Sequence, residues 1–274
     1  MQVATTVAQA RALFEIFPRP LGFVPTMGAL HDGHLALVQQ ARTECVSVAA
    51  SVFVNPLQFG VNEDLAAYPR DLEGDEEKLA QAGVDLLFAP DVATMYPDGF
   101  STAIDVGPIA AHYEGAIRPG HFRGVATVVA KLLGIVQPSV LYLGQKDAQQ
   151  TAVLRKLVRD LEYPVHVEIV PTVREPDGLA MSSRNAYLTP EQRGAAPTLH
   201  GALLAMRERL EAGASKQEAI ATALAALSPA ALPDYFDVVD AQTFEPLDAL
   251  APSSFVVGAA RFGETRLLDN LWIA

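Results

Sequence analysis

Over residues 1–173, short apolar runs alternate with segments whose apolar positions recur every three or four residues. The runs at 21–25, 46–54, 84–89, 139–143 and 165–171 are almost wholly apolar, which predicts strands buried on both faces. The segments 35–44, 71–82, 121–136 and 148–161 carry helical spacing; Gly83 is a good C-terminal stop for the second, and Gly134 a soft spot in the third. Val3, Val7, Ala10 and Phe14 also recur at helical spacing, so the amino-terminal segment is expected to be helical. The run 101–106 reads as an additional strand. Apolar strands separated by helices predict an α/β fold, a parallel sheet with helices on both faces.

The pattern changes after about residue 173. R-E-P-D-G-L-A-M-S-S-R-N (174–185) is polar and bears proline and glycine, so it reads as a loop. Helices are expected at 190–212 and 215–227, and strands at 235–240, 255–261 and 265–268. Helices followed by adjacent strands predict a small C-terminal α+β domain. The expected organisation is residues 1–173 as the first domain, 174–186 as a hinge loop and 187–274 as a lid domain. No internal repeat or low-complexity tract is evident.

Composition narrows the function classes. The 274 residues are half hydrophobic and carry a formal net charge of −12. An acidic chain is a poor partner for nucleic acid, which needs a clustered basic surface, but a small phosphorylated ligand needs only a few local cations. The single cysteine, Cys45, excludes an internal disulfide and a cysteine metal cluster. The first residues carry neither a basic leader nor a sustained apolar core, so no signal peptide is expected. No run approaches the roughly 18 apolar residues of a membrane span, so a cytoplasmic protein without membrane contact is expected.

Four segments carry candidate chemistry. In F-V-P-T-M-G-A-L-H-D-G-H (23–34), a strand hands over to a helix at two histidines three apart. A helix starting near Asp32 places His31 and His34 on one face at its N-terminus, where free N–H groups favour phosphate, and Gly28 and Gly33 allow close backbone approach. A zinc pair or two incidental surface histidines remain open, although zinc needs further ligands and no second histidine pair exists. G-Q-K-D (144–147) follows a strand and precedes a helix, so Lys146 can reach a phosphate and Asp147 a ribose hydroxyl; an ordinary charged turn is the alternative. M-S-S-R-N (181–185) offers two hydroxyls and a guanidinium fork suited to a triphosphate, or is a solvated linker. The amides Asn55, Gln58, Gln149 and Gln150 suit a hydroxylated substrate, or cap strands and helices. R-P-G-H-F-R-G (118–124) adds Arg118, His121 and Arg123, a basic cluster for a carboxylate or for acidic neighbours such as Glu114. The acidic residues 71–77 crowd a helix start, where they are stabilised in any case.

Taken in order, P-T-M-G-A-L-H-D-G-H, S-V-F-V-N-P-L-Q-F, Y-P-R-D-L, R-P-G-H-F-R-G-V-A-T-V-V-A-K-L, G-Q-K-D-A-Q-Q and P-T-V-R-E-P-D-G-L-A-M-S-S-R-N closely resemble the pantoate–β-alanine ligase (pantothenate synthetase) family. The resemblance is motif-deep over about residues 20–190. It implies a Rossmann-like fold of the nucleotidylyltransferase type, in which H-x-G-H parallels the H-I-G-H of class I aminoacyl-tRNA synthetases and M-S-S-R stands where those carry K-M-S-K-S. It implies ATP as substrate, Mg²⁺, a pantoyl adenylate intermediate, release of AMP and pyrophosphate, and a homodimer. By resemblance, His34 and His31 are catalytic with Lys146 and Arg184, His34 being the family's proton donor. ATP contacts fall on Met27, Gly28, Ala29, Leu30, His31, Asp32, Gly33, His34, Gly144, Gln145, Lys146, Asp147, Val173, Met181, Ser182, Ser183 and Arg184. Pantoate and β-alanine fall to Gln58, Gln150, Asn55 and Arg118, and Mg²⁺ to Asp75. The family commonly reads G-E-K-D where this chain has Gln145.

Two other functions stay open: a nucleotidyltransferase acting on a phosphorylated acceptor, and a nucleotide sensor without chemistry. Gln58 and Gln150 suit an uncharged polyol better than a phosphate. A sensor has little use for both histidines, Lys146 and Arg184 together.

Overall fold

The computed structural model describes residues 1–60, 65–66 and 68–274. Its strands are β1 (Gln2–Ala4), β2 (Leu21–Thr26), β3 (Ser47–Val52), β4 (Leu86–Phe88), β5 (Val140–Gly144), β6 (His166–Val170), β7 (Ala231–Asp240), β8 (Ser254–Phe262) and β9 (Thr265–Ile273). Its helices are α1 (Val7–Ile16), α2 (Asp32–Glu44), α3 (Leu72–Gln81), α4 (Val92–Met95), α5 (Glu114–Ile117), α6 (His121–Val136), α7 (Ala148–Asp160), α8 (Pro190–Ala195), α9 (Thr198–Glu211) and α10 (Lys216–Ala226). The chain forms two compact units: Met1–Gly144 with Val153–Val170, and Gln145–Ala152 with Pro171–Ala274.

The first unit is built on a six-stranded sheet of order β1-β4-β3-β2-β5-β6, parallel throughout. On one face, Val24, Val48, Ala50, Leu87 and Tyr142 pack with Leu37, Val38 and Ala41 of α2 and Leu79 of α3. Period-two alternation sends Phe23, Ala49 and Leu141, all fully buried, to the opposite face. There α6 lies against β2 and packs on α1. Strand order reverses at β2 and β5, the place where open α/β sheets bind ligands beyond their carboxyl ends. The β2–β5 ladder has only two residue pairs, Gly22–Val140 and Phe23–Leu141, while β2–β3 is paired along the whole of β2. Pro25 lies beyond the last β2–β5 pair, so its missing N–H costs no rung on that side.

In the second unit, α9 and α10 pack Leu199, Ala202, Leu203, Met206, Leu210, Ala219 and Ala223 onto the antiparallel β7-β8-β9 sheet through Phe236, Val238, Val256, Ala260, Phe262, Leu267 and Leu271. The α/β class and the small C-terminal α+β unit therefore agree with the sequence pattern.

Three local expectations are corrected. Val3 belongs not to a helix but to β1, paired with Leu87 of β4; α1 starts after Thr6, where Thr6 and Gln9 form a reciprocal capping box. The run 101–106 is not a strand, and the Ile104 N–H goes to Thr127 Oγ1 at 3.0 Å instead of to a ladder. The expected helix 190–212 is two helices, because Pro197 has no N–H with which to continue the ladder of α8. Among the described residues, no helix is long and apolar enough to cross a membrane.

Candidate active site

In the first unit, β2 ends in a loop held by two residues in the left-handed region, Gly28 (φ 84°) and Ala29 (φ 52°). A Cβ on Gly28 would stand 2.7 Å from Asp75 Oδ2, so only glycine fits there. Asp75 sits on α3 and is 1% exposed. Its Oδ2 accepts the Ala29 N–H and its Oδ1 the Leu30 N–H, both at 2.8 Å. Lys78, one turn further along α3, donates to the Leu30 carbonyl at 2.9 Å. This helix therefore sets the path of the chain just before the histidines.

His31 is the N-cap of α2, and its Nδ1 accepts the Gly33 N–H at 3.2 Å. His34, three residues on, returns the bond: its Nδ1 takes the His31 N–H at 3.4 Å. This is a capping box made of two imidazoles, with ring centroids 4.2 Å apart. An Nδ1 that accepts leaves the proton of the neutral ring on Nε2. Both rings are thereby set as Nε2–H donors at the positive end of a 13-residue helix, an arrangement suited to a phosphoryl group.

The Pro56–Gln58 turn follows β3. Asn55 is 1% exposed and its amide is fully used. Oδ1 accepts from the Tyr96 hydroxyl (2.7 Å) and the Leu57 N–H (3.3 Å), and Nδ2 donates to Gln58 Oε1 (3.0 Å) and the Gly124 carbonyl (3.1 Å). Burial pushes the Tyr96 phenol above its ordinary range, so the phenol stays protonated and can donate. The structure thus gives Asn55 the task of bracing Gln58, where the family resemblance implies a substrate contact. Gln58 Nε2 reaches the Met27 thioether at 2.9 Å, linking the turn to the loop before the histidines. His121 Nδ1 stands 2.8 Å from the Gln58 carbonyl and its Nε2 3.0 Å from Arg118 Nη1. Arg118 can only donate, so His121 accepts at Nε2 and gives its Nδ1 proton to Gln58. Here Arg118 orients a histidine that holds the main chain of Gln58.

In the second unit, Lys146 and Asp147 occupy a short turn, Gln145–Asp147, which leads into α7. Lys146 Nζ lies 3.3 Å from Asp147 Oδ1. Gln149, buried, and Gln150, half-buried, follow in the same unit. The 174–185 segment is an ordered hairpin: Arg174 bridges Ala180, the Met181 N–H goes to the Val173 carbonyl at 3.0 Å, and Ser182 Oγ caps the Ser183–Tyr187 turn at the Arg184 N–H. Two residues that sequence reasoning misses organise this unit. Asp269, 3% exposed in its side chain, holds Arg174 with two bonds of 2.7 and 2.9 Å. Burial alone would raise its carboxyl, but His200, Arg174 and the Asn270 N–H together hold it below the usual range. Asn270 binds the Gln145–Asp147 turn. The signal for both is two consecutive polar residues, D-N, inside the apolar run L-L-D-N-L-W-I.

Asp75, which the family resemblance gives to Mg²⁺, accepts one main-chain N–H at each carboxylate oxygen, and among the described residues no group of three His, Cys, Asp or Glu side chains is placed to hold a metal by protein ligands alone.

A doubly wound parallel sheet with a phosphate-ready helix N-terminus beyond its central strand defines a class, the α/β enzymes that use nucleotides. A family model described as pantoate–beta-alanine ligase matches residues 2–272. Pantothenate synthetase from Chloroflexus aggregans is 55% identical over 278 residues, covering 100% of this chain and 99% of its own. The crystal structure of the Thermus thermophilus enzyme superposes with a TM-score of 0.95 at 55% identity, over 99% of both chains. A pantoate–beta-alanine ligase from Francisella tularensis, complexed with beta-gamma ATP and beta-alanine, is 35% identical with a TM-score of 0.78, over 99% of this chain and 97% of its own. The chain belongs to the pantoate–beta-alanine ligase family, and its reaction is the ATP-dependent joining of pantoate to β-alanine.

Proposed function

We propose that this chain runs that ligation through a pantoyl adenylate, with the residue roles that follow. A pantoate carboxylate oxygen attacks the α-phosphorus of ATP, the bond to the β-phosphate breaks, and pyrophosphate leaves. The β-alanine amine then attacks the acyl carbon, the bond to the phosphate oxygen breaks, AMP leaves, and the amine gives up a proton. Such transfers need positioning and charge neutralisation more than covalent help from the protein.

The observation that carries the reading is the two-imidazole capping box. It fixes His31 and His34 as Nε2–H donors at a helix N-terminus, where charge developing on the α-phosphoryl oxygens is stabilised. Lys146, Ser182, Ser183 and Arg184 supply the remaining phosphate contacts. Gly28, Ala29, Leu30, Asp32 and Gly33 shape the loop around the nucleotide, and Met27, Gly144, Gln145, Asp147, Val173 and Met181 complete its site. Gln58 and Gln150 take the hydroxyls of pantoate, while Asn55 and Arg118 act through Gln58. Mg²⁺ enters as the counter-ion of the triphosphate, in keeping with its habit of binding substrate phosphates more than protein cages. The homodimer rests on the family resemblance alone and the cytoplasmic location on the sequence pattern; sedimentation equilibrium tests the first.

The decisive assay supplies ATP and pantoate with β-alanine present or omitted. AMP and pyrophosphate are expected as products, with amide formed only when β-alanine is added. Formation of ADP, or turnover without pantoate, would sink the reading. His34→Ala should slow adenylate formation by about 100-fold or more, the usual cost of losing one preorganised donor; a near-normal rate removes His34 from the mechanism.

A further inference from the structure

We propose that Asn270, on the last strand of the chain, is the positioning residue for Lys146. The proposal rests on the reading of Lys146 as a phosphate contact.

Asn270 is 2% exposed, and its side chain is spent on one object. Nδ2 donates to the Gln145 carbonyl at 3.0 Å and to the Lys146 carbonyl at 2.9 Å. Oδ1 accepts from Gln145 Nε2 at 3.1 Å. Both N–H bonds of one amide thus fix two successive peptide units, while its oxygen holds the side chain of the first. The lysine stem is a flexible four-carbon chain, so where its ammonium can dwell depends on how firmly its own peptide is held.

Asn270 is itself fixed on three sides. It pairs with Val257 in the β8–β9 ladder, its N–H goes to Asp269 Oδ1 at 2.8 Å, and its carbonyl accepts from Arg174 Nη2 at 3.3 Å. Arg174 in turn donates to the Gly178 carbonyl at 3.0 Å and is gripped by Asp269. Two consecutive residues of β9 therefore set the Lys146 turn and the hairpin that leads to Ser182, Ser183 and Arg184. Gln145, where the family resemblance leads one to expect glutamate, also finds its place: an amide at 145 donates to Asn270 Oδ1, so the Gln145–Asn270 pair is neutral and matched donor to acceptor.

The test is steady-state kinetics of Asn270→Ala, Asn270→Asp, Gln145→Ala and Lys146→Ala, with each Asn270 and Gln145 change also placed on Lys146→Ala. Asn270→Asp keeps the size but turns an acceptor toward two carbonyl oxygens. Asn270→Ala and Asn270→Asp should each lose on the order of 10- to 100-fold in kcat/KM for ATP, the cost of misplacing a catalytic group by about an ångström. Gln145→Ala, which removes one bond of the three and leaves the strand untouched, should lose less in the same direction. In the Lys146→Ala background the same changes should cost little further, because their effect runs through the absent ammonium. Wild-type kinetics for Asn270→Asp overturn the proposal. So does an undiminished loss in the Lys146→Ala background, which marks a purely structural role. If Asn270→Ala does not fold, Gln145→Ala and its double variant decide by the same criterion. Unchanged kinetics for Lys146→Ala itself would instead sink the reading of the lysine, and this proposal with it.

Discussion

Asp75 shows how one buried carboxylate can be read in two ways. By resemblance it belongs to Mg²⁺; in the structure it clamps the loop before the histidines through the Ala29 and Leu30 N–H groups. The two roles respond differently to Asp75→Asn. An asparagine keeps the volume but offers one acceptor oxygen and turns an NH₂ donor toward a main-chain N–H. Leaving that buried N–H without a partner costs about 1–3 kcal/mol. The expected outcome is a lower melting temperature and a raised KM for ATP, with the Mg²⁺ concentration for half-maximal rate unchanged. A large shift in that Mg²⁺ concentration with normal thermal stability would return Asp75 to the metal. The H-x-G-H spacing is legible because capping is local, and three residues of helix bring the two rings together. The partner of the loop is not, since Asp75 lies 45 residues from Leu30 and nothing nearby announces the contact.

At the scale of elements, α6 meets the Pro56–Gln58 turn with no spare room. A Cβ on Gly124 would stand 2.2 Å from the Leu57 carbonyl oxygen and 2.6 Å from the Gln58 nitrogen. Those are backbone atoms and cannot rotate away. Gly124→Ala must therefore push the turn off the helix, at a cost of about 1–3 kcal/mol. It should raise KM for pantoate more than KM for ATP, because Gln58 sits on that turn. An equal rise in both, or none, would show that the turn does not carry the pantoate contact. The R-P-G-H-F-R-G motif reads from sequence as a basic cluster; its working parts are His121 and Gly124, which hold the turn by a hydrogen bond and by close approach. The larger strands and helices are legible because burial on both faces of a parallel sheet leaves long apolar runs. β1 is not, because three residues cannot show a period, and its neighbour Thr6 with Gln9 speaks only for the helix that follows. The run 101–106 reads as a strand from sequence, but its Ile104 N–H goes to the Thr127 side chain and not to a neighbouring strand.

For the whole molecule, the question is whether one nucleotide draws on all of its proposed contacts: His31, His34, Lys146, Ser182, Ser183 and Arg184. A ligand that binds only the folded state stabilises it by RT ln(1 + [L]/Kd), about 2.7 kcal/mol when the ligand stands at roughly 100 times its Kd. Amide hydrogen exchange reports where that protection falls. The chain carries a net charge of −12, so a triphosphate gains nothing from the molecule as a whole and must be held by these local donors. On addition of saturating MgATP, exchange should slow in the first turn of α2, in the Gln145–Asp147 turn and in the 174–185 hairpin together, with the same midpoint in all three. Protection confined to α2 would remove Lys146 and Arg184 from the nucleotide. Protection confined to the Gln145–Asp147 turn and the 174–185 hairpin would remove the two histidines. Lys146→Ala provides the internal control, since it should raise the nucleotide concentration needed at every one of the three segments by the same factor, as a single shared ligand requires.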